Sequence, residues 1–169
     1  MTNDIALLEL SSPYPVTLEP AVLSSAQTFA PDATIAGYGF SNADNRTLGL
    51  FNVTWPVPMK LASGDLSFKP GDGSPHKSSA CQGDSGGPVF AGRYRGCKRS
   101  DLGGEARPRF VQGTVSYGQI SQPSLTTGDR NRDAAQACIE VSEVVMQSIT
   151  AKDRRDWICA TTNRQAAGC

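Results

Sequence analysis

Seventeen glycines and eleven prolines are spread through 169 residues, and they cut the chain into short runs. Glycine supplies turn conformations closed to other residues, and proline ends regular hydrogen bonding, so this punctuation favours many short strands over helices. Ile5–Leu10 is a short apolar run bounded by Ser11-Ser12-Pro13 and predicts a mostly buried strand. Residues 11–30 carry Pro13, Pro15 and Pro20 and read as an extended connector. Thr34–Gly39 predicts a strand, Asn42–Arg46 a turn, and Leu48–Val57 a further strand closed by Pro56 and Pro58. Residues 62–79 are polar and rich in Gly and Pro, and read as a loop. Pro88–Ala91 and Arg109–Val115 predict strands separated by a basic loop over 93–104, which reads as a solvated face. Residues 119–133 form a second long loop. Ile139–Val141 predicts a last strand, and Ser142 then caps a helix running to Ile149, with a charged stretch beyond it to Trp157. The expected fold class is all-β with one C-terminal helix.

Sixteen basic and sixteen acidic residues give a formal net charge of zero. A binder of nucleic acid or of an anionic membrane surface needs a basic excess, so neither class fits. A hydrophobic fraction of 38% with 19% charged residues is that of a folded globular chain. No apolar run approaches the roughly 18 residues of a membrane span. The five cysteines are Cys81, Cys97, Cys138, Cys159 and Cys169, none at C-x-x-C spacing, and one histidine, His76, accompanies them. No metal and no cofactor are expected from that set. One or two disulfides with a leftover thiol imply an oxidising compartment, and Cys159 and Cys169 are spaced to close a short C-terminal loop. Met1-Thr2-Asn3-Asp4 has none of the features of a secretory leader, so export points to chain upstream of Met1. Asn45-Arg46-Thr47 and Asn52-Val53-Thr54 match the N-glycosylation acceptor pattern.

The stretch that carries chemistry is Cys81-Gln82-Gly83-Asp84-Ser85-Gly86-Gly87-Pro88. Three glycines around one serine open backbone conformations that side chains forbid and clear space beside the hydroxyl. The amides of Gly83 and Ser85 are then able to point at a single oxygen, as stabilisation of an attacked carbonyl requires. A short G-x-S-x-G pattern recurs by chance, whereas the eight-residue string is far more specific.

Cys81–Pro88 resembles the nucleophile loop of the chymotrypsin/trypsin-like serine endopeptidases. Asn3-Asp4-Ile5-Ala6-Leu7-Leu8 is similar to the family segment bearing the catalytic aspartate. Thr34–Gly39 resembles the strand opening the second barrel, with Tyr38 in the place of a usual tryptophan. Thr114–Gly118 resembles the strand that pairs with substrate backbone, and Ile139–Ile149 the closing strand and C-terminal helix. The resemblance implies a trypsin-like double β-barrel, here mainly the second barrel. Its expected divisions are 1–150, with 1–12 the last strand of the first barrel, 13–30 the connector and 31–150 the second barrel and helix, followed by a tail over 151–169. It implies Ser85 as nucleophile, Asp4 as the acid that orients the general base, and Gly83 and Ser85 as oxyanion-hole donors. It also implies substrate binding by Ser116, Tyr117 and Gly118 through strand addition. Asp84 normally pairs in the family with an N-terminal ammonium created by cleavage.

The same resemblance defines what is missing. The family histidine lies in a T-A-A-H-C-like segment before the aspartate, and no such segment precedes Asp4. His76 falls in the loop that enters the specificity pocket. The expectation is therefore a piece of a secreted, extracellular endopeptidase acting on protein or peptide substrates, inactive without the N-terminal barrel. The alternative is a non-catalytic, protease-like binding module. A disulfide common in the family would join the positions of Ala33 and Ala91, where both residues are alanine. The pocket-closing partner of Cys81 normally follows Gly118 closely, and Cys138 is the expected substitute. The pocket base falls on Ser79, which suits a neutral or apolar substrate side chain. Asp129 and Asp133 read as solvated loop acids.

Overall fold

A computed structural model describes residues 3–12, 20–40, 49–70, 79–92, 109–120, 128, 133, 136–138 and 140–169. In chain order the strands are β1 (Val22–Leu23), β2 (Asp32–Gly37), β3 (Asn52–Val53), β4 (Val57–Pro58), β5 (Lys60–Ala62), β6 (Asp65–Phe68), β7 (Pro88–Ala91), β8 (Phe110–Ile120) and β9 (Val141–Ser148). The helix α1 follows at Lys152–Thr161. The architecture is all-β with a C-terminal helix.

The sheet runs in the order β3-β2-β7-β8-β9-β6-β5, with β1 added beside β8 and β4 beside β2. Every pairing is antiparallel except β1 with β8. Ala33 and Ile35 of β2 share one buried cluster with Leu66 and Phe68 of β6, although these strands are far apart in the sheet order. The sheet therefore curls around its core. Residues 57–62 complete the curl, because β4 pairs with β2 while β5 pairs with β6, so one short stretch of chain joins the two ends. Val89, Val115, Val144 and Met146 fill the centre of the cluster.

Besides the β1–β8 pairing, one side chain fastens the stretch before β2 to β8. Gln112 is fully buried; its Oε1 accepts from the Ala30 amide at 3.1 Å and its Nε2 donates to the Ala30 carbonyl at 3.3 Å. A buried amide group satisfied on both its donor and acceptor sides holds its partner in one place.

Four sequence expectations are corrected. Ile5–Leu10 forms no strand; the segment has no ladder partner among the described residues, and Leu8 is 92% exposed. Residues 48–57 hold two short strands in place of one, pairing at separate points along β2. The stretch 62–79 is not all loop, since β5 and β6 form a tight hairpin across Ser63-Gly64, both with positive φ (52° and 83°). Two positive φ values in succession match a two-residue turn twisted in the sense of its strands. The predicted helix at Ser142–Ile149 is the strand β9, and the helix lies later, within the stretch expected as a tail. Val144, Val145 and Ile149 satisfy a helical spacing, but every residue from Val144 to Ile149 is buried. Pairing with both β8 and β6 then outweighs the local preference.

Arg154 anchors α1 to the sheet. It is 9% exposed, and its guanidinium donates to the Gly64 carbonyl at 2.5 Å, the Ser148 carbonyl at 3.3 Å, Asp65 Oδ1 at 2.9 Å and Asn3 Oδ1 at 3.3 Å. Arg155 donates to the Ser24 carbonyl at 2.5 Å. Cys159 and Cys169 are joined by a disulfide with Cα atoms 5.5 Å apart, which ties the end of the chain to the helix.

Candidate functional site

The glycine-rich loop over residues 81–87 sits between β2 and β8, and both neighbours grip it. On the β8 side, the Gly86 amide donates to the Val115 carbonyl at 2.8 Å, and the Val115 amide donates back to the Gly87 carbonyl at 2.9 Å. On the β2 side, the Asp84 carboxylate accepts from the Gly39 amide at 2.8 Å through Oδ1 and from the Cys81 amide at 2.8 Å through Oδ2. This contact needs glycine at two positions. A Cβ on Gly37 would lie 2.0 Å from Asp84 Oδ1, and one on Gly39 would lie 2.6 Å from Asp84 Cγ. The Phe40 amide adds a bond to the Gln82 carbonyl at 3.2 Å.

Inside the loop, tight turns from Asp84 N–H to the Cys81 carbonyl and from Gly87 N–H to the Asp84 carbonyl lift Ser85 outward, and Ser85 is exposed. Gly83 takes φ of 97°, a backbone region that favours glycine. Among the described residues the Gly83 and Ser85 amides have no hydrogen-bond acceptor.

Asp4 lies in the extended N-terminal segment, and its Oδ2 accepts a hydrogen bond from Ser116 Oγ at 2.6 Å. The preceding Asn3 has φ of 64° and is held by Arg154, so the segment is also anchored just before its meeting with β8. The glycines of Thr34–Gly39 read from sequence as allowing a close backbone approach or a bend, and Gly37 and Gly39 make that close approach to Asp84. Arg154 lies in the charged stretch, and only its carbonyl partners reveal it as buried.

Ser85, Ser116, Tyr117 and Gly118 line one cavity of about 290 Å³, together with Ala80, Val115, Ala137, Val141, Val144 and the Cys81–Cys138 disulfide. That disulfide spans Cα atoms 5.2 Å apart. Val141 narrows the cavity near Gly118, its methyl carbons standing 3.1 and 3.3 Å from where a Cβ on Gly118 would be. Ser79 is not among the lining residues, and its Oγ donates to the Ala80 carbonyl at 3.1 Å. Asp133 accepts from the Gly128 amide at 3.2 Å, while His76, Cys97 and Asp129 lie outside the described residues. Among the described residues no group of three His, Cys, Asp or Glu is placed to hold a metal ion. No helix there is long and apolar enough to cross a membrane.

The arrangement offers an exposed hydroxyl bordering the cavity, two amides at Gly83 and Ser85 without an acceptor among the described residues, and a carboxylate held against the neighbouring strand. A model of the family described as Trypsin matches residues 1–128. Among curated proteins, none matches the chain.

Proposed function

Because the chain belongs to the trypsin family, we propose that it is the part of a serine-type endopeptidase that carries the nucleophile and the orienting acid. Ser85 Oγ attacks the scissile carbonyl, the Gly83 and Ser85 amides receive the oxyanion, and water later releases the acyl group. Asp4 holds the general base in the productive tautomer and stabilises its protonated form. The observation that carries this reading is the Ser116–Asp4 hydrogen bond, because Ser116 also lines the cavity bordered by Ser85. It brings the carboxylate to the strand that flanks the nucleophile.

The base is an imidazole supplied by chain outside these 169 residues, since no T-A-A-H-C-like segment lies among them. Ala80, Val115, Val141 and Val144, with no acid among the described lining residues, suit a small apolar substrate side chain. Ser116–Gly118 receives the substrate backbone as an added strand. Disulfides and family alike are typical of secreted proteins, and the whole enzyme acts outside the cell.

Fluorophosphonate labelling tests the reading, because the reagent reports an activated serine. The 169-residue chain is expected to label at background. A chain extended by the in-frame sequence encoded upstream is expected to label at Ser85 and to lose labelling in Ser85→Ala. Ser85-dependent peptide hydrolysis by the 169 residues alone overturns the external base. An extended chain that holds the histidine segment and still fails to label overturns the endopeptidase reading in favour of a non-catalytic binding module.

A further inference from the structure

The acceptor pattern Asn52-Val53-Thr54 falls on β3, the strand at one end of the sheet. Asn52 is exposed and lies directly opposite Gly37 of β2. Its Nδ2 donates to the Leu50 carbonyl at 2.8 Å. A carboxamide nitrogen carries two hydrogens, so one stays free for substitution while the other keeps this bond.

Around Asn52 the surface is unusually apolar. Leu50, Phe51 and Trp55 from its own segment and Tyr38 from the end of β2 are all exposed, and the Tyr38 and Phe51 rings meet at 5.4 Å. Among the described residues β3 pairs only with β2, and an apolar patch beside an unpaired strand edge is the arrangement that promotes edge-to-edge association, which proteins cover or blunt. A pyranose ring has apolar C–H faces that pack on aromatic side chains.

We propose that Asn52 is an N-glycosylation site whose first sugars cover this edge. Asn52 Nδ2 forms the new bond to C1 of the reducing-end N-acetylglucosamine of a lipid-pyrophosphate-linked oligosaccharide. The C1–O bond to the pyrophosphate breaks, the lipid pyrophosphate leaves with the electron pair, and the amide proton passes to a base of the transferase. In the fold, Thr54 Oγ1 accepts from the Ile35 amide at 3.0 Å, and the Thr54 amide donates to the Ile35 carbonyl at 2.9 Å. The hydroxyl is engaged once β3 has paired, so transfer takes place on the nascent chain. The site depends only on export through a compartment holding that donor, and it is independent of the proposed peptidase activity.

The test directs the 169-residue chain into the secretory pathway of a eukaryotic cell behind a cleavable leader. Total disulfide-bonded product, retained and secreted, is released with peptide N-glycosidase in ¹⁸O water and analysed by peptide mass spectrometry, with Asn45 scored separately. The expected result is ¹⁸O-marked conversion at position 52 in most molecules. Asn52→Gln removes that glycan, and Thr54→Ser, which keeps a hydroxyl facing Ile35, retains it. Asn52→Gln protein is also expected to self-associate at lower concentration in light scattering. An unmodified Asn52 peptide in the majority of the wild-type product overturns the proposal, and the wild-type measurement decides even where a variant fails to accumulate.

Discussion

The Ser116 hydroxyl donates to Asp4 Oδ2 at 2.6 Å across 112 residues of sequence. It ties an exposed, strandless segment to the longest strand of the sheet. Ser116→Ala removes the donor and leaves the Arg154–Asn3 contact to hold that segment. A single hydrogen bond of this kind contributes about 1 kcal/mol. The population in which Asp4 is detached from β8 is therefore expected to rise roughly fivefold, a ratio set by that energy, which lowers the NMR backbone order parameters of Asp4–Leu8 with the global unfolding midpoint unchanged. Order parameters that stay the same in the variant show that the bond does not restrain the segment.

Asp84 is held by backbone amides at places where the chain approaches without a side chain between. Gly39→Ala puts a methyl carbon 2.6–2.7 Å from the Asp84 carboxyl group. The carboxylate must leave the Gly39 and Cys81 amides, and overpacking adds to the lost charge-assisted bonds. The expected loss is about 2–4 kcal/mol in urea unfolding. A loss below about 0.5 kcal/mol, the range of neutral surface changes, refutes the contact as a determinant of the loop.

Gln147 is fully buried, and among the described residues neither its Nε2 nor its Oε1 has a hydrogen-bond partner. An unpaired buried amide forfeits its hydration without recompense. Gln147→Met keeps the length of the side chain and removes both polar atoms, so the variant is expected to gain about 1–2 kcal/mol. Destabilisation in the same urea titration would mean that the amide is satisfied in solution.

Ala33 and Ala91 face each other across β2 and β7. The bond from the Gly92 amide to the Asp32 carbonyl at 2.7 Å makes them a non-hydrogen-bonded pair, which sets Cα atoms about 4.5 Å apart. That separation falls at the short end of the disulfide range. Ala33→Cys with Ala91→Cys is expected to oxidise spontaneously and to raise stability by about 2–4 kcal/mol. Free thiols in the oxidised double variant would contradict the register.

The strands at Thr34–Gly39, Pro88–Ala91 and Arg109–Val115 were legible because each is a short apolar run between turn residues. The tight turns over 81–87 were legible because three glycines surround the serine there. The β5–β6 hairpin was hidden by the polar residues around it, although Ser63-Gly64 is a turn dipeptide in its own right. The helix was hidden for a different reason. Of its ten residues, only Arg154, Ile158 and Cys159 are buried, so the apolar stripe that marks an amphipathic helix is nearly absent. Its docking relies on a guanidinium that meets carbonyls. Asn3 and Arg154, or Gly39 and Asp84, are distant in sequence and carry no shared pattern, so only folding brings their relation into view.

The double grip on residues 81–87 ties the shape of this turn to the pairing of strands far apart in sequence. Asp84 finds the Gly39 amide only after β2 has come alongside β7, two strands with a long intervening stretch of chain. Pairings of such long range form late, because loop closure must precede their reward. A ribosome-bound or half-collapsed chain thus carries residues 81–87 as an unshaped turn until β2 and β7 have paired.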